Sequence, residues 1–261
     1  MPSPQSVAEP AVAFDRVAKL YAGTVPAVRE VTATIDAGSF VALVGTSGSG
    51  KSTLLKMINR LVEPSSGVVI LAGTPVDRIE AHRLRRDTGY VFQNVGLFPH
   101  MTVSENIAIG LRLNGVKDVQ ARVFELLDLV DLPRDMAARL PDALSGGQQQ
   151  RVGVARALAT APKLMLMDEP FGALDSVTRD QLGRAYRALH DRLGLTTLMV
   201  THDMAEALLL ADRVLVMEAG RIVADATPRA LLAGKGGAIA DALVSVPRAQ
   251  ADRLRALEDE A

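Results

Sequence analysis

The stretch GTSGSGKS, Gly45–Ser52 with Thr53 after it, has the spacing G-x-x-x-x-G-K-S. Such a loop can bend until several backbone N–H groups point inward. The start of a following helix adds its positive dipole end, and the two together hold a polyphosphate. Lys51 is spaced to reach the β- and γ-phosphates, and the Ser52 hydroxyl to ligate Mg2+. A second cluster stands far downstream, where KLMLMDEP carries an apolar run into two carboxylates, Asp168 and Glu169. Asp168 suits the waters around a Mg2+ ion, and Glu169 can take a proton from an attacking water. The charge of the metal would keep both acids ionised. Gln93 and His202 likewise stand just past short apolar runs, YVF and LMVT. Alone, a histidine or an Asp-Glu pair at such a place is an ordinary structural or solvated group. Four polar strand ends around one phosphate favour a catalytic role.

These residues need elements to position them. AVAFDRVAKLY and VREVTATIDAG read as strands, and SFVALVG as a strand buried on both faces. KSTLLKMINRLV has helical spacing and is expected to run to Pro64 and the SSG after it. VVILAG and TGYVFQ are further strands. From residue 94 to 160 the pattern is helix and loop. Thr102 and Glu105 have capping-box spacing, DVQARVFELLDLVDL is amphipathic, and Pro133 and Pro141 bracket a short third helix. LSGGQQQR, Leu144–Arg151, then puts two adjacent glycines ahead of a long helix, although glycine weakens helices. KLMLMDE and LTTLMVTH restore the sheet, with a helix beginning near Asp175 between them. Asp203 and Glu206 are again spaced as a capping box, and VLVMEAGRIVADA reads as a hairpin turning at Ala219-Gly220. The tail after Gly237 is charged and Ala-rich, suited to one or two weak helices. Alternating strands and helices predict an α/β fold with a mainly parallel central sheet. The expected division is a nucleotide-binding core over 11–93 and 161–234, a helical insert over 94–160 and a tail over 235–261.

Composition narrows the function. Of 261 residues 48% are apolar, and the net charge is −1 with aromatics at 3% and no Trp, which argues against a nucleic-acid partner. Without cysteine there are no disulfides or thiolate metal sites, which suits a reducing compartment. No run approaches the ~20 apolar residues of a membrane span. MPSPQSVAEP has neither a basic start nor an apolar stretch, so no secretory signal is expected.

Six motifs in order carry a resemblance: the loop at 45–52, Gln93, LSGGQ at 144–148, LMLMDE at 164–169, GALD at 172–175 and TH at 201–202. From about Ala11 to Gly234 the chain resembles the ATP-binding subunit of an ABC transporter. The resemblance implies a P-loop NTPase, a RecA-like core with an N-terminal antiparallel β subdomain and a helical signature subdomain, with ATP and Mg2+ as cofactors. It implies that Gly45, Thr46, Ser47, Gly48, Ser49, Gly50, Lys51, Ser52 and Thr53 bind ATP. Tyr21, in KLYAG, looks like the aromatic that stacks on adenine, the alternative being an edge-strand aromatic. Ser52, Gln93 and Asp168 match metal positions, and Glu169, His202 and Gln93 match catalytic ones. Gln93 would join Mg2+ and the lytic water to the helical subdomain, and His202 would sense the γ-phosphate and orient Glu169. Two such subunits pack head to tail. Ser145, Gly146, Gly147, Gln148 and Asp175 would then face the nucleotide of the other chain, which gives the paired glycines a purpose.

GLFPHMTVSENI and DEPFGALD resemble bacterial importer ATPases served by a solute-binding protein. The wording is most similar to the branch importing osmoprotectants and quaternary amines: glycine betaine, choline, carnitine, proline. That implies a homodimer, transmembrane permease partners and a peripheral place on the cytoplasmic face of the inner membrane. Leu97, Phe98 and Met101 are candidates to line a groove for a permease helix, or else core of the insert. HRLRR at 82–86 reads as a solvated helix face. Two departures stand out. About 25 residues follow the core, too few for the paired regulatory modules such ATPases often carry, and Leu140 stands where relatives often have Tyr. Alternatives are an importer ATPase for another small solute, or a soluble ABC ATPase of translation or repair. The latter usually joins two cassettes or inserts a coiled coil or zinc module. A nucleotide-binding module without turnover is disfavoured by Glu169 and His202.

Overall fold

A computed structural model describes residues 9–23, 25–172 and 174–259. Most of the segment read for a secretory signal, residues 1–8, and Ala173 of GALD lie outside them. Among the described residues two sheets form. The smaller is antiparallel, with β1 (Val12–Lys19) between β2 (Val28–Ile35) and β4 (Ser66–Leu71), and β5 (Thr74–Pro75) on the far edge. The larger contains β3 (Phe40–Val44), β6 (Thr88–Val91), β7 (Leu164–Asp168), β8 (Thr196–Thr201), β9 (Arg213–Glu218) and β10 (Arg221–Ala226). Its order is β10-β9-β3-β8-β7-β6, parallel except for β10, which returns through the expected hairpin. Ala219 and Gly220 both have positive φ, 45° and 83°, which suits the right-handed twist of the flanking strands.

The helices are α1 (Lys51–Ile58), α2 (Ala81–Asp87), α3 (Val103–Leu113), α4 (Gln120–Leu129), α5 (Gly146–Leu158), α6 (Ser176–Leu193), α7 (Met204–Leu210), α8 (Pro228–Leu232) and α9 (Ala238–Asp259). Caps read from the sequence explain several starts. Thr102 and Glu105 bond reciprocally at α3, and Asp175 accepts from Val177 N and Thr178 N at α6. Two expectations are corrected. First, α1 stops at Ile58, six residues short of Pro64. Leu61 N and Val62 N turn back onto Lys56 O at 3.0 and 3.2 Å, and Arg60 takes φ 55°. The chain must reverse there to enter β4, and the local turn wins over helical periodicity. Second, Asp203 caps α7 without a reciprocal box. Its own N–H already donates to Thr201 Oγ1 at 3.0 Å, so Glu206 has no partner to reach back to.

Parallel strands buried on both faces are apolar throughout, and their alternation sorts the side chains. Phe40, Ala42, Val44, Met165, Met167 and Met199 face one way and join buried residues of α3 to α7 and α9. Val41, Leu43, Leu166, Leu198 and Val200 face the other way, onto α1, α2 and the antiparallel sheet. HRLRR lies in α2, where only Leu84 is buried, as expected of a solvated face. The tail forms α9, which packs on α7, α8 and β10.

Candidate active site

Order in the larger sheet places β3, β8, β7 and β6 side by side and parallel, so their carboxyl ends open on one edge. That edge is where open α/β sheets bind ligands. The glycine loop follows β3, His202 follows β8, Asp168 ends β7 with Glu169 next, and Gln93 follows β6.

The loop from Gly45 to Gly50 runs directly into α1. A Cβ at Gly45 would collide with Met217 O, and one at Gly50, where φ is 102°, with Ala27 O. Glycine therefore lets this loop lie flat against β9 and the end of β2 while its far side stays open. Thr46, Ser47 and Gly48 are exposed, Ser49 and Lys51 are buried. Lys51 Nζ donates to Gly45 O and Thr46 O, both at 2.8 Å. Burial pushes its ammonium below the usual lysine range, while Glu169 and Asp168 pull it back up. The first amides of α1 have no acceptor within their own helix, and with the ammonium they form an anion cradle. A polyphosphate fits the donors present.

Ser52 Oγ donates to Asp168 Oδ1 at 2.6 Å. One hydroxyl and one carboxylate, with no further acidic cluster among the described residues, suit a hard cation completed by phosphate and water. Asp168 Oδ2 also meets Lys56 Nζ at 3.3 Å and Tyr90 OH at 3.5 Å. Burial and the neighbouring Asp168 charge raise the Tyr90 phenol far above its ordinary range, so it stays a donor. Sequence reasoning missed both neighbours. Lys56 follows Ser52 by one helical turn, a readable signal. Tyr90 had none until β6 and β7 were known to pair.

Glu169 is held in the left-handed region at φ 48°, uncommon for a non-glycine residue and a mark of stored strain. The turn aims its carboxylate between two neighbours: Gln93 Nε2 donates to Oε2 at 3.1 Å, and His202 Nδ1 lies 3.3 Å from the same oxygen. The loop after Gln93 is tied to α5, because half-buried Arg156 donates to Val95 O at 2.5 Å and Gly96 O at 2.7 Å.

Other expected site residues stand apart. Ser145 caps α5, its Oγ accepting from Gln148 N at 3.3 Å while Gln148 Oε1 accepts from Ser145 N at 2.9 Å. Neither these two, nor Gly146, Gly147 or Asp175, shares a hydrogen bond with the glycine loop among the described residues. A Cβ at Gly146 would find only Leu174 Cδ2 at 4.0 Å, so its own chain does not require glycine there. At Gly147 a Cβ would press Thr178 Cγ2 at 2.7 Å, an intrachain reason for glycine. Bonds from Thr178 first, then from the Val177 amide, hold the exposed Asp175 carboxyl below its usual range. Tyr21 is exposed, with Lys19 Nζ 5.2 Å from its ring centre. Leu97 packs on the core, while Phe98 is exposed and Met101 half-buried.

The fold and this edge define a P-loop NTPase. Residues 28–172 match the ABC transporter family, and the chain belongs to it. A carnitine transport ATP-binding protein, OpuCA of Listeria monocytogenes, is 48% identical over 84% of this chain and 56% of its own length. A glycine betaine uptake ATP-binding protein, YehX of Escherichia coli K12, is 47% identical over 85% of this chain and 72% of its own. Thus the chain spans little more than half the length of the first of these. Among solved structures, the dimeric ATP-binding cassette MJ0796, in a post-hydrolysis state bound to ADP and Pi, superposes with a TM-score of 0.76. It is 34% identical over 84% of this chain and 99% of that one.

Proposed function

We propose that the chain is the ATP-hydrolysing subunit of a bacterial importer, working as a head-to-tail homodimer with Mg2+. The observation that carries this reading is Glu169 Oε2 held between Gln93 and His202, beside the Ser52–Asp168 pair. Lys51 and the amides opening α1 bind the phosphates. Ser52, Asp168 and Gln93 would hold Mg2+, which would offset phosphate charge. Glu169 Oε2 accepts the proton of the attacking water, while His202 orients it. Ser145, Gly146, Gly147 and Gln148 of one subunit, with Asp175, close on the nucleotide held by the other. Tyr21 stacks on adenine.

The division into a core over 11–93 and 161–234, an insert over 94–160 and a tail over 235–261 belongs to the same proposal. Phe98 and Met101 offer an apolar lip to a permease helix, with the subunit peripheral on the cytoplasmic face of the inner membrane. No helix among the described residues is long and apolar enough to cross a membrane, so permease subunits supply the passage. The relatives' names support an osmoprotectant such as carnitine or glycine betaine as cargo; a solute-binding protein would deliver it.

The test is Glu169→Gln. Turnover should fall by about a hundredfold or more, since a general base contributes that much. With ATP the variant should run as a stable dimer in light scattering. A variant that hydrolyses at the wild-type rate, or binds ATP and stays monomeric, overturns the reading.

A further inference from the structure

Two loops leave neighbouring strand ends on the site edge. One runs from Glu169 to Asp175, the other is His202 and Asp203, and a single guanidinium joins them. Arg179 Nη2 donates to Leu174 O at 2.9 Å, and Arg179 Nη1 to Asp203 Oδ2 at 3.4 Å. Each acceptor is itself anchored. On the first loop, Gly172 N bonds Glu169 O at 3.2 Å and Leu174 N bonds Phe171 O at 3.2 Å. Leu174 therefore sits at the end of the turn that begins at the strained Glu169. On the second, Asp203 uses Oδ1 to cap α7, bonding Ala205 N at 2.8 Å and Glu206 N at 3.2 Å. Its N–H is taken by Thr201 Oγ1, which leaves Oδ2 for Arg179. His202 lies between Thr201 and Asp203, and its ring returns to Glu169 Oε2 at 3.3 Å.

The bonds form a circuit: Glu169, the turn to Leu174, Arg179, Asp203, His202 and back to Glu169. The planar fork serves the carbonyl and the carboxylate from two separate nitrogens held at a fixed angle. Its side chain is 34% exposed and borders a cavity of about 400 Å³ that Ser176, Asp180, Gly183 and Arg184 also line. Its Nε is buried without a hydrogen-bond partner among the described residues. Two bonds from separate nitrogens therefore tie the head group to both loops.

We propose that Arg179 is a positioning residue: it fixes His202 relative to the Asp175 loop, so that the partner-facing loop and the Glu169–His202 pair move as one. This rests on the nucleotide-hydrolysing role proposed above. Arg179 touches no reacting atom; it acts through Asp203 and Leu174.

The test uses the full chain with Mg-ATP in steady state, comparing Arg179→Met and Arg179→Lys with wild type. Arg179→Met should lower kcat about tenfold, a small misplacement of a catalytic group being enough for that. KM should stay within about twofold of wild type, since the phosphate cradle is untouched. Arg179→Lys should recover about a third of the lost rate, because an ammonium keeps the charge but not the fork's two fixed, separated donors. On a His202→Ala background, either substitution should lower kcat by less than about twofold, because residues acting as a unit are not additive. A folded Arg179→Met with wild-type kcat overturns the inference, as does a full tenfold loss added to His202→Ala. Should Arg179→Met not fold, the Arg179→Lys and His202→Ala cycle decides alone. Glu169→Gln separates the two failures: if it is inactive while Arg179→Met is normal, only the positioning role falls.

Discussion

The strand-end cluster and the tip of α5 carry equally recognisable motifs, and they are built in opposite ways. In the cluster, side chains from four separate segments bond to one another: Ser52 and Lys56 to Asp168, Tyr90 to Asp168, Gln93 and His202 to Glu169. At the tip, the side chains of Ser145 and Gln148 close a reciprocal cap within four residues, and Gly146 between them is exposed. In the proposed function the cluster is the half that holds the nucleotide, and the tip is the helix start that another copy brings to it. Self-sufficient local structure on an exposed surface is what one expects of a half-site meant for another copy of the chain.

The strongest way to break that comparison is to mix two inactive variants. Lys51→Ala removes the cradle and Ser145→Arg blocks the tip, and each homodimer should be inactive. Random mixing makes half the dimers mixed, each with one intact site of two, so ATPase should return to about a quarter of wild type. Absence of recovery, with both variants folded, would place the tip and cradle in one chain or deny the tip a role.

Gly146→Ala sharpens it. The chain itself leaves room for a methyl there, and removing a helical glycine should stabilise the fold by about 0.5 kcal/mol in denaturant titration. Turnover should nevertheless fall, because the partner's phosphate needs close backbone approach. A variant both more stable and fully active would show that nothing packs on Gly146.

The smallest effect lies away from both regions and serves as their baseline. His190 is buried under Phe40, with Nδ1 2.9 Å from Thr197 Oγ1 and Arg187, Asp191 and Asp212 as its charged neighbours. Burial first, then Arg187, holds its pKa below the ordinary 6.5. Below about pH 6.5 the unfolded chain takes up a proton that the folded chain refuses. Stability from this group is full above that pH and declines as pH falls towards the lowered folded value. Melting temperatures from pH 8 to 5.5 should fall less steeply for His190→Gln than for wild type; equal slopes would remove His190 from the account.

How much was legible depends on the range of the interaction. The glycine loop, the Thr102 box and the Ala219-Gly220 turn are set within a few residues, and each was readable. The end of α1 was misread because Pro64 is a louder signal than the turn at Arg60 that the antiparallel sheet imposes. Lys56 and Tyr90 beside Asp168, and Arg179 between Leu174 and Asp203, have no local signature beyond a helical spacing.

By itself the sequence determined which residues are candidates for chemistry, since phosphate binding, metal binding and helix capping require particular groups at particular short spacings. It also determined that apolar strands would bury both faces of one sheet. Only the tertiary structure decided that β6, β7, β8 and β3 lie adjacent and parallel, bringing Gln93, Glu169 and His202 within hydrogen-bond reach. Strand order is chosen by the packing of whole helices and sheets against one another. No local spacing of residues records it.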